Sequence, residues 1–260
     1  MRIIPIARLY RPSPDSFARD YLETSTPVVL TGVTDAWPAR PLWTLAFFRA
    51  HFGEMQVALR ASDRESDVFF GDVGLRQVVL KDYFDQIEHP RPGQRPPYLG
   101  NLSFNNPLAR PLLAPLAAHF TVPPYFAHLP EHDVRLWIGA AGQTSTIHND
   151  SYHNLNAQIR GRKRFLLFAP DQHPYLYVEQ HTPQCWVSRL DPLEPDLNAY
   201  PLYQQATGMP VTLEEGEILF IPKFWWHHVR AETVAVNLNV WAYSRSEPLW
   251  SRELQTVAGA

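Results

Sequence analysis

Cysteine is almost absent from this chain of 260 residues, where Cys185 stands alone. One thiol closes no intrachain disulfide and leaves no thiolate cluster for zinc or iron–sulfur ligation, which suits a reducing compartment. Long hydrophobic runs are missing too. No stretch reaches the length of a membrane span. The N-terminal MRIIPIARLYRPSPDSF has too short an apolar run for a secretory signal, and Pro5, Arg8 and Arg11 break it. By elimination the expected location is cytoplasmic. Charge of one sign is also lacking. The net charge is −3 and the one basic cluster is Arg160, Arg162, Lys163 and Arg164, so no global field draws the protein to nucleic acid or an anionic membrane. No repeat of fixed period and no low-complexity tract is visible.

What is present describes a folded protein. Hydrophobic residues make up 45% of the chain and charged ones 19%, a balance that supports a buried core. The 25 prolines and 13% aromatics point to short strands joined by turns. Ser13 to Leu22 reads as a helix with Ser13 at the N-cap and Pro14 in the first turn. Pro27 to Gly32 reads as a buried strand, Thr44 to Phe52 as a helix capped by Gly53, Met55 to Arg60 as a strand, and Leu80 to Ile87 as another helix. Pro90 to Pro97 is a surface loop rather than a domain boundary, because the strand signal resumes at once with Tyr98 to Leu102. From Val134 to Ala242 about eight short runs separated by turn residues read as strands of a closed barrel or sandwich.

Chemistry concentrates at Ser145-Thr146-Ile147-His148-Asn149-Asp150. If Ile147 to Asp150 is extended, His148 and Asp150 share one side and Asn149 takes the other. A His-X-Asp string is cheap in a chain with eleven histidines, and alone it reads as a solvated strand end. A later strand changes its weight. Ile218 to Ile221 runs into Trp225-Trp226-His227-His228, which supplies a second histidine. Two histidines and a carboxylate on one face of a metal form the facial triad of non-haem Fe(II) oxygenases. His227 and His228 face opposite ways on a strand, so only one of them can join, and parity leaves open which. Lys163 belongs either to a solvated hairpin tip or to the barrel interior, where it requires an anionic partner. Asn154 with Asn156, and Asn237 with Asn239, share strand parity and can direct amides inward, or simply bond across strands.

Taken in order, Ser145 to Asp150, Asn154 to Phe168 with Asp171, Glu214 to Pro222 leading to His227-His228, and Asn239-Val240-Trp241 resemble the cupin-like Jumonji-C oxygenases. The similarity is nearest to the branch of the asparaginyl hydroxylase called factor inhibiting hypoxia-inducible factor and its bacterial relatives. That resemblance implies a mainly β double-stranded β-helix with N-terminal α+β additions. It implies one domain over 1–260, with residues 1–97 packed on a catalytic barrel of 98–250. It implies a dioxygenase that uses Fe(II), 2-oxoglutarate and O2 to hydroxylate a substrate C–H bond. His148, Asp150 and His227 match the metal ligands. Lys163 and Tyr98 match the residues that hold the distal carboxylate of 2-oxoglutarate. Ser145 falls where the family usually has threonine and keeps its hydroxyl, Asn154 and Asn239 match cosubstrate-pocket asparagines, and Trp241 matches an aromatic wall.

A peptide or protein side chain is the expected substrate, and the mild negative charge counts against nucleic acid. The competing readings are a non-catalytic cupin binding module, an oxygenase acting on nucleic acid or a small molecule, and a metal-dependent cupin that does not use 2-oxoglutarate. Intact ligands speak against the first, and Lys163 with Tyr98 speaks against the last. The short stretch after the last strand leaves little room for the C-terminal helical pair through which some family members dimerise.

Overall fold

Turn-bounded apolar runs become short strands, and these need neighbours to satisfy their backbone polar groups. A computed structural model describes residues 1–61, 74–89, 98–107, 109–129, 132–182 and 185–243. The loop expected over Pro90 to Pro97 and the stretch following residue 243 lie outside the described residues. Before the barrel proper come β1 (Arg2–Ile3), β2 (Ala7–Tyr10), β3 (Val28–Thr31), β4 (Gln56–Ala61), β5 (Gly74–Val79) and β6 (Leu99–Ser103). The α-helices among them are α1 (Pro14–Phe17), α2 (Ala39–Leu42), α3 (Leu45–Phe52), α4 (Leu80–Glu88) and α5 (Arg110–Leu116). Ser13 Oγ accepts from the Ser16 N–H, so the expected N-cap forms, and α1 continues as a π-helical turn over Ala18–Leu22. Helix α5 is unforeseen by sequence reading because it holds Pro111 and Pro115. Pro111 lies in the first turn, where a missing N–H breaks no helical bond.

The barrel strands follow as β7 (His132–Gly139), β8 (Thr144–His148), β9 (Tyr152–Arg160), β10 (Lys163–Phe168), β11 (Val178–Thr182), β12 (Cys185–Ser188), β13 (Thr207–Leu213), β14 (Ile218–Ile221), β15 (Trp226–Ala231) and β16 (Ala235–Tyr243). Two seven-stranded sheets result, ordered β1-β13-β10-β15-β8-β12-β11 and β2-β3-β14-β9-β16-β7-β6, and β4 pairs with β5 separately. From β7 to β10, and again from β13 to β16, each strand crosses to the other sheet. That alternation makes two facing sheets into a double-stranded β-helix, the fold expected above.

Three apolar clusters hold it together. On the outer face of the second sheet, Leu136, Leu155, Ala157, Phe220, Leu238 and Val240 pack with Phe17, Trp43, Phe48 and Phe84 from the helical layer. Phe220 lies 5.0 Å from Phe17 and 6.1 Å from Phe126 between ring centroids, which fastens the N-terminal helix to the barrel. Outside the first sheet, Ile147, Leu166, Phe168 and Trp226 form a second cluster. Between the sheets, Val29, Phe165, Leu167, Leu219 and Ile221 fill part of the interior. Apart from a small aromatic cluster of Tyr98, Trp137 and Trp241, the rest of the interior is polar. On β9 and β16 the apolar residues face the helices, while Asn154, Asn156, Gln158, Asn237 and Asn239 are buried on the alternate face. A barrel interior lined with amides has to bond them to one another or to a ligand.

Candidate functional site

Strand β8 ends at His148, and Asn149 and Asp150 leave the sheet before β9 begins. His148 is the direct antiparallel partner of His227 on β15, with ring centroids 4.1 Å apart. Asp150 Oδ2 lies 3.7 Å from His227 Nε2. One ligand atom from each of the three residues lies within 4.8 Å of the others. Backbone carbonyls set the ring orientations. His148 Nδ1 meets the Thr146 carbonyl at 2.7 Å and His227 Nδ1 meets the Trp225 carbonyl at 3.0 Å. A carbonyl only accepts, so Nδ1 carries the proton in both rings and each Nε2 keeps its lone pair. His228, the other half of the adjacent pair, lies opposite Leu166 on the far face of β15. Burial pulls its pKa down to about 4.

Electrostatics and donor chemistry both fit a divalent cation here. Burial, then the neighbouring His227, lowers the pKa of His148 well below the usual histidine range. Burial raises that of Asp150, against the opposing pull of His227 and Arg135. An imidazole pair that turns both Nε2 atoms toward a partly buried carboxylate is a donor set for a borderline metal ion. Phe224 anchors the backbone at Asp150. In the left-handed conformation (φ 66), it donates its backbone N–H to the Asp150 carbonyl at 2.7 Å.

Lys163 begins β10 and is 4% exposed. Its ammonium donates to Tyr98 Oη at 3.1 Å and to Asn237 Oδ1. Among the described residues no carboxylate pairs with it, and burial pulls its pKa down to about 7. The hairpin-tip reading is thus excluded for Lys163, whose neighbour Arg164 does face solvent. Tyr98 reaches this lysine because glycine lies beneath it. A Cβ on Gly139 would come within 2.7 Å of the Tyr98 ring, and one on Gly100 within 2.7 Å of the Trp137 ring.

All nine site residues expected from sequence line one cavity of about 560 Å³, its open mouth included. Ser145 does so through an irregularity. Pairing between β15 and β8 steps from His227↔His148 to Val229↔Ser145, two residues on one strand against three on the other. Such a β-bulge brings Ser145 to the face of His148, where strict alternation would turn it away. Asn154 lies opposite Trp241, and Asn156 opposite Asn239. Asn154 Oδ1 and Trp241 Nε1 are buried without a partner among the described residues.

The same cavity holds Asn101 and Trp137, which sequence reading did not single out, and Asn156 and Asn237, which it gave only as candidate inward amides without a role in the site. Asn101 adopts the left-handed conformation (φ 65) at an irregularity of β6, and a Gly-Asn pair is the signal that could have found it. Arg135 stands behind the Trp241 wall. Its guanidinium lies 4.0 Å from the ring centroid of Trp241 and 2.7 Å from Asp133 Oδ2, and it bonds Asn101 Oδ1. Tyr152 stacks on Trp241 at 5.3 Å.

A family model described as a cupin-like domain matches residues 14–247. The chain belongs to the cupin-like Jumonji-C family. This is the family of Fe(II)- and 2-oxoglutarate-dependent oxygenases whose motifs the sequence carries. Human bifunctional peptidase and (3S)-lysyl hydroxylase JMJD7 is 29% identical over 269 residues, covering 92% of this chain and 84% of that protein. Lysine-specific demethylase 8 of Xenopus tropicalis is 27% identical over 242 residues, 91% of this chain and 52% of the demethylase. Arabidopsis thaliana lysine-specific demethylase JMJ30 is 29% identical over 248 residues, 94% of this chain and 54% of its own length. This cupin-like chain therefore spans about half the length of these demethylases. The named relatives are lysyl rather than asparaginyl enzymes, so they give the expected nearness to the asparaginyl branch no specific support.

Proposed function

We propose that this chain is an Fe(II)- and 2-oxoglutarate-dependent dioxygenase that hydroxylates a C–H bond of a peptide or protein side chain. His148, Asp150 and His227 are the iron ligands in this reading, and Lys163 with Tyr98 receives the distal carboxylate of 2-oxoglutarate. One observation carries it: a two-histidine, one-carboxylate set shares a cavity with a buried lysine that has no carboxylate of its own. A buried cation without an anion is costly, and a ligand with a carboxylate at its far end removes that cost. A cupin that used metal alone would have no need of the lysine.

Bound together, Fe(II), 2-oxoglutarate and O2 supply the oxidising chemistry, giving succinate and CO2 while one oxygen atom goes to the substrate carbon. The chain's own residues bind, orient and exclude water. Thr146 and Trp225 carbonyls hold the two imidazoles in the tautomer that offers Nε2. Trp137, Trp241, Phe165 and Ile221 wall the cavity against solvent. The unit that does this is the chain as one domain, with residues 1–97 as additions to the barrel. Relatives named for hydroxylating or demethylating lysine support a peptide or protein substrate, and a net charge of −3 disfavours nucleic acid. Among the described residues no helix is long and apolar enough to cross a membrane, and with a lone cysteine this supports a cytoplasmic enzyme.

Succinate formation from 2-oxoglutarate by the purified protein with Fe(II), ascorbate and air tests the reading. Turnover disappears in His148→Ala, and Lys163→Ala raises the 2-oxoglutarate requirement roughly 30-fold or more, as loss of one partner of a buried charge pair does. Absence of both turnover and anaerobic binding of Fe(II) and 2-oxoglutarate would overturn it in favour of a non-catalytic binding module.

A further inference from the structure

Hydrogen bonding inside the barrel has a direction, set by Lys163. An ammonium has three donors and no acceptor. Because Lys163 donates to Asn237 Oδ1, the Asn237 amide is fixed in one of its two orientations, with Nδ2 turned away from the lysine. That nitrogen donates to Asn239 Oδ1 at 2.8 Å and to Asn156 Oδ1 at 3.3 Å. Asn156 and Asn239 thus each spend an oxygen on Asn237. What each keeps is an NH2 group, and neither nitrogen has a partner among the described residues. All three asparagines are buried and line the cavity.

We propose that Asn237 is a positioning residue that selects the cosubstrate. It holds the Lys163 ammonium without neutralising it, and it turns Asn156 and Asn239 so that this wall offers donors to a distal carboxylate. The inference rests on the reading of this cavity as the 2-oxoglutarate site, and adds to it the residue that keeps the lysine both aimed and free of an internal counter-charge. An amide is the one group of this shape that does both. A carboxylate at position 237 satisfies the ammonium but cancels its charge, so an incoming anion has to displace an internal partner. An aliphatic residue leaves the buried ammonium one acceptor short and releases the amides of Asn156 and Asn239.

Anaerobic titration of the Fe(II)-loaded protein with 2-oxoglutarate, and separately with oxalate, tests this. Oxalate chelates the metal but has no distal carboxylate. Asn237→Asp is expected to raise the Kd for 2-oxoglutarate about 30-fold or more, to leave oxalate within about threefold, and to melt no lower than the wild type, since a buried lysine has gained a partner. Asn237→Leu is expected to weaken 2-oxoglutarate while sparing oxalate, and serves if the aspartate variant does not fold. Lys163→Ala gives the reference loss. Either of two results overturns the inference: both Asn237 variants bind 2-oxoglutarate within about threefold of wild type while Lys163→Ala does not, or oxalate weakens as much as 2-oxoglutarate, which marks a purely structural role. If Lys163→Ala itself binds 2-oxoglutarate normally, the distal-carboxylate reading falls first and takes this inference with it.

Discussion

Burial alone decides the character of Lys163. In water a lysine holds its proton to about pH 10.5, whereas here burial pulls that point down to about 7. Between those values the unfolded chain holds more protons than the folded one, so this residue's contribution to stability rises with pH across that window. Ligand binding has the opposite sign, because a carboxylate prefers the charged lysine. Affinity for 2-oxoglutarate is therefore expected to fall about tenfold per pH unit above pH 7. Anaerobic titrations from pH 6 to 9 check this, with Lys163→Met, which has no proton to lose, showing little slope. From strand period an inward-facing lysine was legible only as one of two alternatives, since the period gives parity but not the choice of face, and it was the family resemblance that favoured the inward one. The adjacent His227 and His228 pose the same problem, solved here by the opposite neighbours His148 and Leu166.

At the scale of elements, strands obeyed their apolar alternation and departed from it where the site needed them to. On β9 and β16 every second residue packs under the helices, and the residues between carry amides. One contact that joins the layers is Phe220 of β14 on Phe17 of α1. Phe220 is fully buried, so Phe220→Ala is expected to cost about 3–5 kcal/mol with a cavity left behind. Urea unfolding checks this, and an unchanged m-value certifies that only stability moved. Helices with clean caps, such as the one begun by Ser13, were readable in advance because the cap is local chemistry. The bulge that brings Ser145 beside His148 was not, because it arises from pairing with β15, a strand about 80 positions further along.

For the molecule as a whole, the proposed metal site would tie together distant parts of the chain. His148 ends β8, Asp150 follows it in the connection to β9, and His227 lies on β15, so an ion bound to all three resists separation of the strands. A metal held at 100 times its Kd is expected to add about 2.7 kcal/mol to stability. Thermal melts with Mn(II), in the presence and absence of a chelator, read this as a shift in Tm. Asp150→Ala and His227→Ala lose the shift, whereas His228→Ala keeps it while melting lower.

Sequence alone determined a β-rich barrel or sandwich from turn-bounded apolar runs, and a candidate two-histidine, one-carboxylate set from a His-X-Asp string and a later histidine pair. The double-stranded β-helix and the oxygenase class came from the resemblance of these motifs, in their order along the chain, to the Jumonji-C family. Tertiary structure decided which histidine of the pair faces the cavity, that Lys163 points inward, and that Asn237 joins Lys163 to Asn156 and Asn239. These are properties of register between strands far apart in sequence. Register is set by which faces can be buried together, a condition on the whole barrel that no single strand contains.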